Sequence, residues 1–156
     1  MRPHISVCIP VYQGAPTLAA TLRSVLASEN ADFEVVIRDN GSTDGTSGVV
    51  AGFDDPRIRY IRSEGTLPLP ANWRATVGQA RGELIKVLCA DDLISPDCLA
   101  SQVALLEDPT VALVSCRRDF IDGNGDVLNR NAGLPGLLGR HSVSEVARKA
   151  VRFGIN

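Results

Sequence analysis

"VVIRDNGSTDGT", residues 35–46, decides how the chain is read. Val35, Val36 and Ile37 form a β-branched run suited to a strand covered on both faces. The run stops at Arg38-Asp39-Asn40-Gly41, and Ser, Thr, Asp and Gly follow in close succession. Asn and Gly tolerate positive φ, so these residues suffice for a plain turn. They also place the Asp39 carboxylate where a buried strand meets solvent, a position from which it can hold a ligand. Both readings stand on the residues alone.

Outward from this stretch the chain alternates. "FEVVIR" (33–38) is a second strand, and "ISVCI" (5–9), closed by Pro10, is the first. Between them Leu18, Leu22, Val25 and Leu26 recur at helical spacing over 17–27, with Pro16 placed to open the helix. A short helix over 47–53 stops at Asp55-Pro56, and "IRYIR" (58–62) is a third strand. "SEGTLPLP" (63–70) is loop, and a helix over 71–81 is ended by Gly82. "ELIKVLC" (83–89) is a fourth strand that runs into Ala90-Asp91-Asp92. Ser95-Pro96 caps and opens a helix to residue 106, and "VALVSC" (111–116) is a fifth strand. "DGNGD" (122–126) is the turn of a hairpin, and Ser142 with Glu145 makes a capping box for a last helix. Alternating strands and helices predict an α/β domain with a mostly parallel sheet flanked by helices, one domain over 1–156.

Composition narrows the partners. The 156 residues are 44% hydrophobic with a formal net charge of -2, which supports a folded core and gives no pull toward nucleic acid or anionic lipid. No apolar run approaches the ~18 residues of a transmembrane segment. Met1-Arg2-Pro3-His4 leads straight into a strand without a signal peptide's apolar region. The expectation is a cytoplasmic protein, soluble or peripheral at the inner face of the membrane. Cys8, Cys89, Cys98 and Cys116 never approach CxxC spacing and are expected as buried free thiols. With His4 and His141 as the only histidines, a His-based metal site is not expected.

In an open α/β sheet, ligands bind beyond the carboxyl ends of the strands where strand order reverses. Pro10-Val11-Tyr12-Gln13-Gly14 follows strand one, Asp39-Asn40-Gly41-Ser42 follows strand two, and Ala90-Asp91-Asp92 follows strand four. If strands one and four flank the switch point, these segments converge. Asp91-Asp92 reads either as a helix-entry pair or as a cation site. Two adjacent carboxylates at a buried strand end repel and cost desolvation, and a cation relieves both. Tyr12 reads equally as core or site. There is no GxxxxGK[ST] loop and no GxGxxG after strand one. "DGT" (44–46) lacks a nucleophile two residues ahead of its acid, because Asp39 stands too far away.

Taken together, "VCIPVYQG" (7–14), "VVIRDNGSTDGT" and "GELIKVLCADDLISP" (82–96) resemble family 2 glycosyltransferases with the Rossmann-like GT-A fold of nucleotide-diphospho-sugar transferases, over essentially the whole chain. The resemblance implies inverting, metal-assisted transfer of a sugar from a UDP- or dTDP-sugar donor. The acceptor would be a saccharide or lipid-linked molecule, in cell-envelope polysaccharide synthesis. It implies that Pro10, Val11 and Tyr12 line the nucleotide, with Tyr12 against the base, and that Asp39 accepts a hydrogen bond from the base. It also implies that Asp92 ligates Mn2+ or Mg2+ and that Asp91 faces the ribose or sugar. Cys89 stands where many members have a first Asp, and Gln13 where the family often has Asn. The family's catalytic general base is expected beyond Asn156, and neither Asp119 nor Asp122 is assigned to it. The chain, read as the N-terminal nucleotide-binding part, is expected to bind donor but transfer no sugar alone. A non-catalytic nucleotide-sugar-binding remnant and a Rossmann-type oxidoreductase are the other readings.

Overall fold

A computed structural model of the chain describes residues 2–29, 31–133 and 137–152, the last three by backbone alone. The chain forms two compact units, residues 1–108 and 109–156.

In the first unit, the strands β1 (Ile5–Val11), β2 (Phe33–Asp39), β3 (Ile58–Arg62) and β4 (Leu84–Val87) form a parallel sheet in the order β3-β2-β1-β4. The connecting helices are α1 (Leu18–Leu26), α2 (Thr46–Ala51) and α3 (Leu69–Val77), and α4 (Cys98–Leu106) follows β4. Every residue of β1 is buried, and β2 is buried except for Arg38. Ile5, Val7, Ile9, Val35 and Ile37 pack with Leu18, Leu22 and Val25 of α1 into the core. Such burial on both sides is what a continuous β-branched run serves.

β1 extends past Pro10, which the sequence reading placed as its stop. Its register continues with Pro10 opposite Arg38 and Val11 opposite Asp39. Backbone groups of a parallel strand address alternate neighbours. Val11 O accepts from Asn40 N on the β2 side, and Cys8 O accepts from Leu88 N on the β4 side. Pro10 therefore addresses the β4 side, beyond the last paired residue, Cys8 with Val87, and its missing N–H costs no ladder bond.

Other boundaries shift for local reasons. α3 begins at Leu69 with a proline in its first turn and is capped by Gly78, not Gly82. Gly82 serves a close approach instead, since a Cβ there would lie 2.6 Å from the backbone N of Ser6. α4 starts after Asp97, and the Ser95 hydroxyl bonds Asp97 Oδ1 at 2.6 Å rather than capping the helix.

The second unit contains the antiparallel hairpin β5 (Arg118–Ile121) and β6 (Val127–Ala132), then α5 (Val143–Arg152). Asp122 folds the turn by accepting the N–H groups of Asn124 and Asp126. The α5 capping box is present in both directions, Glu145 N to Ser142 Oγ and Ser142 N to Glu145 Oε2. Residues 111–116 are not a strand. A strand exists by pairing, and this apolar run joins neither sheet. Cys116 at its end is exposed, against the expectation of a buried thiol, whereas Cys8 in β1 is buried. Burial raises the Cys8 thiol pKa to about 11.

Candidate functional site

Strand order reverses between β1, followed through α1 by β2 on one side, and β4 on the other. An open cleft of about 370 Å3 lies at the carboxyl ends there. Its middle is Pro10, Tyr12, Gln13, Gly14 and Thr17 of the β1–α1 segment. One side is Asn40, Leu67, Leu69, Asn72 and Trp73, and the other is Cys89, Ala90 and Asp91. The three segments expected to converge do so.

The loops are tied together by side chains. Gln13, at φ 54°, donates its N–H to Ser42 Oγ and accepts from Thr43 N, while its amide donates to Thr43 Oγ1. Asp44 accepts from Ala15 N, Thr46 N and the Thr46 hydroxyl. These bonds, the Thr46 hydroxyl's foremost, hold the Asp44 carboxyl below its ordinary pKa. Thr17 and Thr21 of the α1 segment both donate to Ala90 O at 2.9 Å, which fixes the chain beyond β4. "GSTDGT" is therefore more than a turn: its side chains hold the loop that carries Tyr12.

Asp39 is 0% exposed and does not line the cleft. Its Oδ1 accepts the Ser42 N–H at 2.8 Å. Its Oδ2 accepts the Tyr60 hydroxyl and lies 3.7 Å from Arg62 Nε. Burial, then the Asp39 contact, push the Tyr60 phenol pKa well above its ordinary value. Asn40 does face the cleft, but its amide is spent on Leu67, donating to Leu67 O and accepting from Leu67 N. This pair clasps the 63–70 loop to the end of β2.

Of the residues singled out from sequence, Pro10, Tyr12 and Asp91 line the cleft. Tyr12 is 56% exposed, so it is no core residue. Val11 is buried in β1, and Asp92 lies in the exposed segment just past the cleft wall. Asp91 and Asp92 are both exposed, so the desolvation cost argued for a buried pair does not arise. The helix-entry alternative also loses its basis, because α4 begins only at Cys98. Among the described residues no group of three or more His, Cys, Asp or Glu side chains converges as a metal site. Two hard carboxylates beside an open cleft fit a divalent cation in part, with further oxygen ligands to come from a bound molecule. Asn156, beyond which the sequence reading expects the catalytic base, lies outside the described residues.

Leu67, Leu69, Asn72 and Trp73 were missed. The available signal was Asn72: Asn disfavours helix interiors, and here it sits one turn before Thr76 on the buried stripe of α3.

A parallel sheet with an open cleft at its switch point and carboxylates on one rim defines an α/β protein of the GT-A type. The chain belongs to glycosyl transferase family 2, whose family model matches residues 6–151. It is 35% identical over 101 residues to the succinoglycan biosynthesis protein ExoO of Rhizobium meliloti (strain 1021), covering 65% of this chain and 29% of ExoO. Among solved structures it resembles the mannosyltransferase PcManGT of Pyrobaculum calidifontis in complex with GDP-Man and Mn2+. That match has a TM-score of 0.68 and 30% identity, covering 76% of this chain and 36% of PcManGT. It also resembles S. aureus TarS in complex with UDP-GlcNAc, with a TM-score of 0.63 and 25% identity, covering 67% of this chain and 31% of that one. The chain thus spans less than half the length of each of these proteins. No helix among the described residues is long and apolar enough to cross a membrane.

Proposed function

We propose that the carboxyl-end cleft holds the nucleoside diphosphate of a sugar donor, a UDP- or dTDP-sugar, for inverting transfer to a saccharide or lipid-linked acceptor. The observation that carries this is the polarity of the cleft. Its α3 side carries the apolar Leu67, Leu69 and Trp73 beside the amides of Asn40 and Asn72, and its β4 side carries the Asp91 carboxylate, with Asp92 next in the chain. A sugar nucleotide has the same polarity, a flat base at one end and a diphosphate at the other.

In this reading Tyr12, held by the Gln13 and Asp44 bonds, lies against the nucleoside. Asp91 faces the ribose or sugar, and Asp92 ligates Mn2+ or Mg2+. The cation, when bound, acts as a Lewis acid on the charge of the leaving diphosphate. PcManGT with GDP-Man and Mn2+ supports a divalent ion, and TarS with UDP-GlcNAc supports a uridine donor. Asp39 is assigned as acceptor for a base N–H. Its carboxylate keeps lone pairs beyond those taken by Ser42 and Tyr60.

Titrating UDP with and without Mn2+ tests the assignment. Two carboxylates are an incomplete metal shell, so metal and nucleotide are expected to tighten each other by the same factor. Asp92→Asn is expected to remove most of that coupling, and Asp91→Asn less. Equal coupling in wild type and Asp92→Asn contradicts the metal assignment. GDP binding in preference to UDP contradicts the donor assignment alone.

A further inference from the structure

Three polar side chains that line the cleft are already engaged: Asn40 with Leu67, Gln13 with Thr43 and Thr17 with Ala90. Asn72 differs. It is only 2% exposed, yet it lines the cleft. Its Oδ1 accepts a hydrogen bond from Arg38 Nη1 at 2.7 Å, which fixes which end of the amide is which. The Nδ2 donors therefore point away from Arg38, and they have no partner among the described residues. Nδ2 is also absent from the fully enclosed atoms that make no hydrogen bond, Ser28 Oγ and Arg59 Nε, so the small exposed part of Asn72 includes it. A nearly buried amide held by one end, with its donors open to a cleft, is arranged for an acceptor that arrives with a ligand.

The position says which acceptor. α3 packs on β1 and β2, and Arg38 ties Asn72 to β2. The order β2-β1-β4 puts β1 between Asn72 and the carboxylates that follow β4. Asn72 thus stands on the apolar side, beside Leu69 and Trp73, away from the rim suited to a diphosphate. We propose that Asn72 is a specificity-determining residue that donates from Nδ2 to a carbonyl oxygen of the bound base. This deepens the nucleotide reading above and rests on it.

The test is calorimetry with UDP, 2-thio-UDP and 4-thio-UDP, in the presence of Mn2+, on wild type and Asn72→Asp. Sulfur is the weaker acceptor. Aspartate keeps the oxygen that Arg38 binds and removes the donor. One thio analogue is expected to bind wild type about tenfold more weakly than UDP. In Asn72→Asp that penalty should vanish. A merely structural Asn72 weakens all three ligands alike in the variant and leaves the penalty in place, which overturns the proposal. If Asn72→Asp does not fold, wild type decides alone, and equal affinity for the three ligands overturns it. A wild type that binds none of them removes the nucleotide reading itself, a result distinct from binding all three equally.

Discussion

β2 carries a buried carboxylate at each end, Glu34 at its start and Asp39 at its finish, and the two ends behave differently. Glu34 Oε1 accepts from the Ser6 hydroxyl and from Arg81 N–H, both at 2.7 Å, and Oε2 lies 3.2 Å from Arg59 Nε. The Ser6 hydroxyl also accepts from Gly82 N–H at 2.8 Å. One carboxylate thereby joins the starts of β1, β2 and β3 to the chain entering β4, and no space is left: a side chain at Gly82 would collide with the Ser6 backbone. Asp39 is satisfied in the same way, by Ser42 and Tyr60, but its surroundings are not closed. The segments that follow β2 and β1 at that end face a cleft, lined by Asn40 and Tyr12. A buried, well-bonded carboxylate therefore does not mark a site by itself. The neighbours that keep unused hydrogen-bonding capacity do.

The contrast can be broken by substitution. Glu34→Ala should have the largest effect, because it leaves the Arg59 charge, mostly buried, without its partner. A loss of about 3–5 kcal/mol in folding stability is expected by urea denaturation, with UDP affinity of the folded protein unchanged. A change in affinity would show that the two ends are coupled. Asp39→Ala should act on both properties. Loss of a charge-assisted hydrogen bond of about 1.5–3 kcal/mol corresponds to roughly 10- to 150-fold weaker UDP binding. Unchanged affinity in calorimetry would reduce Asp39 to the same structural role as Glu34.

Tyr60→Phe is the gentler probe of the Asp39 end. Removing the hydroxyl should cost about 0.5–1.5 kcal/mol near neutral pH. It should also change the alkaline limb. The folded-state phenol pKa is raised above the ordinary value of 10.0, so its contribution to stability is fully present below that pH and is lost as pH rises toward the folded value. The stability of wild type should fall above pH 10 more steeply than that of Tyr60→Phe. Parallel alkaline limbs would contradict the burial assigned to this hydroxyl.

Much of this was legible in the residues. The β-branched runs around Val7 and Val36 declare strands covered on both faces, and the polar segments after them fall where a parallel sheet binds ligands. Asp91 and Tyr12 were found that way. Residues 111–116 misled because apolar alternation reports suitability for a sheet, whereas a strand also needs a partner that no local pattern names. Gly82 was read as a helix stop because its closeness to Ser6 is a tertiary fact. Asn72 was passed over for the same reason: only the packing of α3 on the sheet turns one helical amide toward the cleft. The exposure of Asp91 and Asp92 also escaped, since sequence places them after a strand without saying that the chain swings outward there.

The most direct measurement is the set of backbone amide NMR shifts on adding UDP with Mg2+, a diamagnetic stand-in for Mn2+. A nucleotide cleft at the carboxyl ends predicts changes at Tyr12, Asn40, Asn72 and Asp91, with Ser6, Glu34, Arg59 and Arg81 unmoved. No saturable change at the first group, or changes confined to the second, would contradict it.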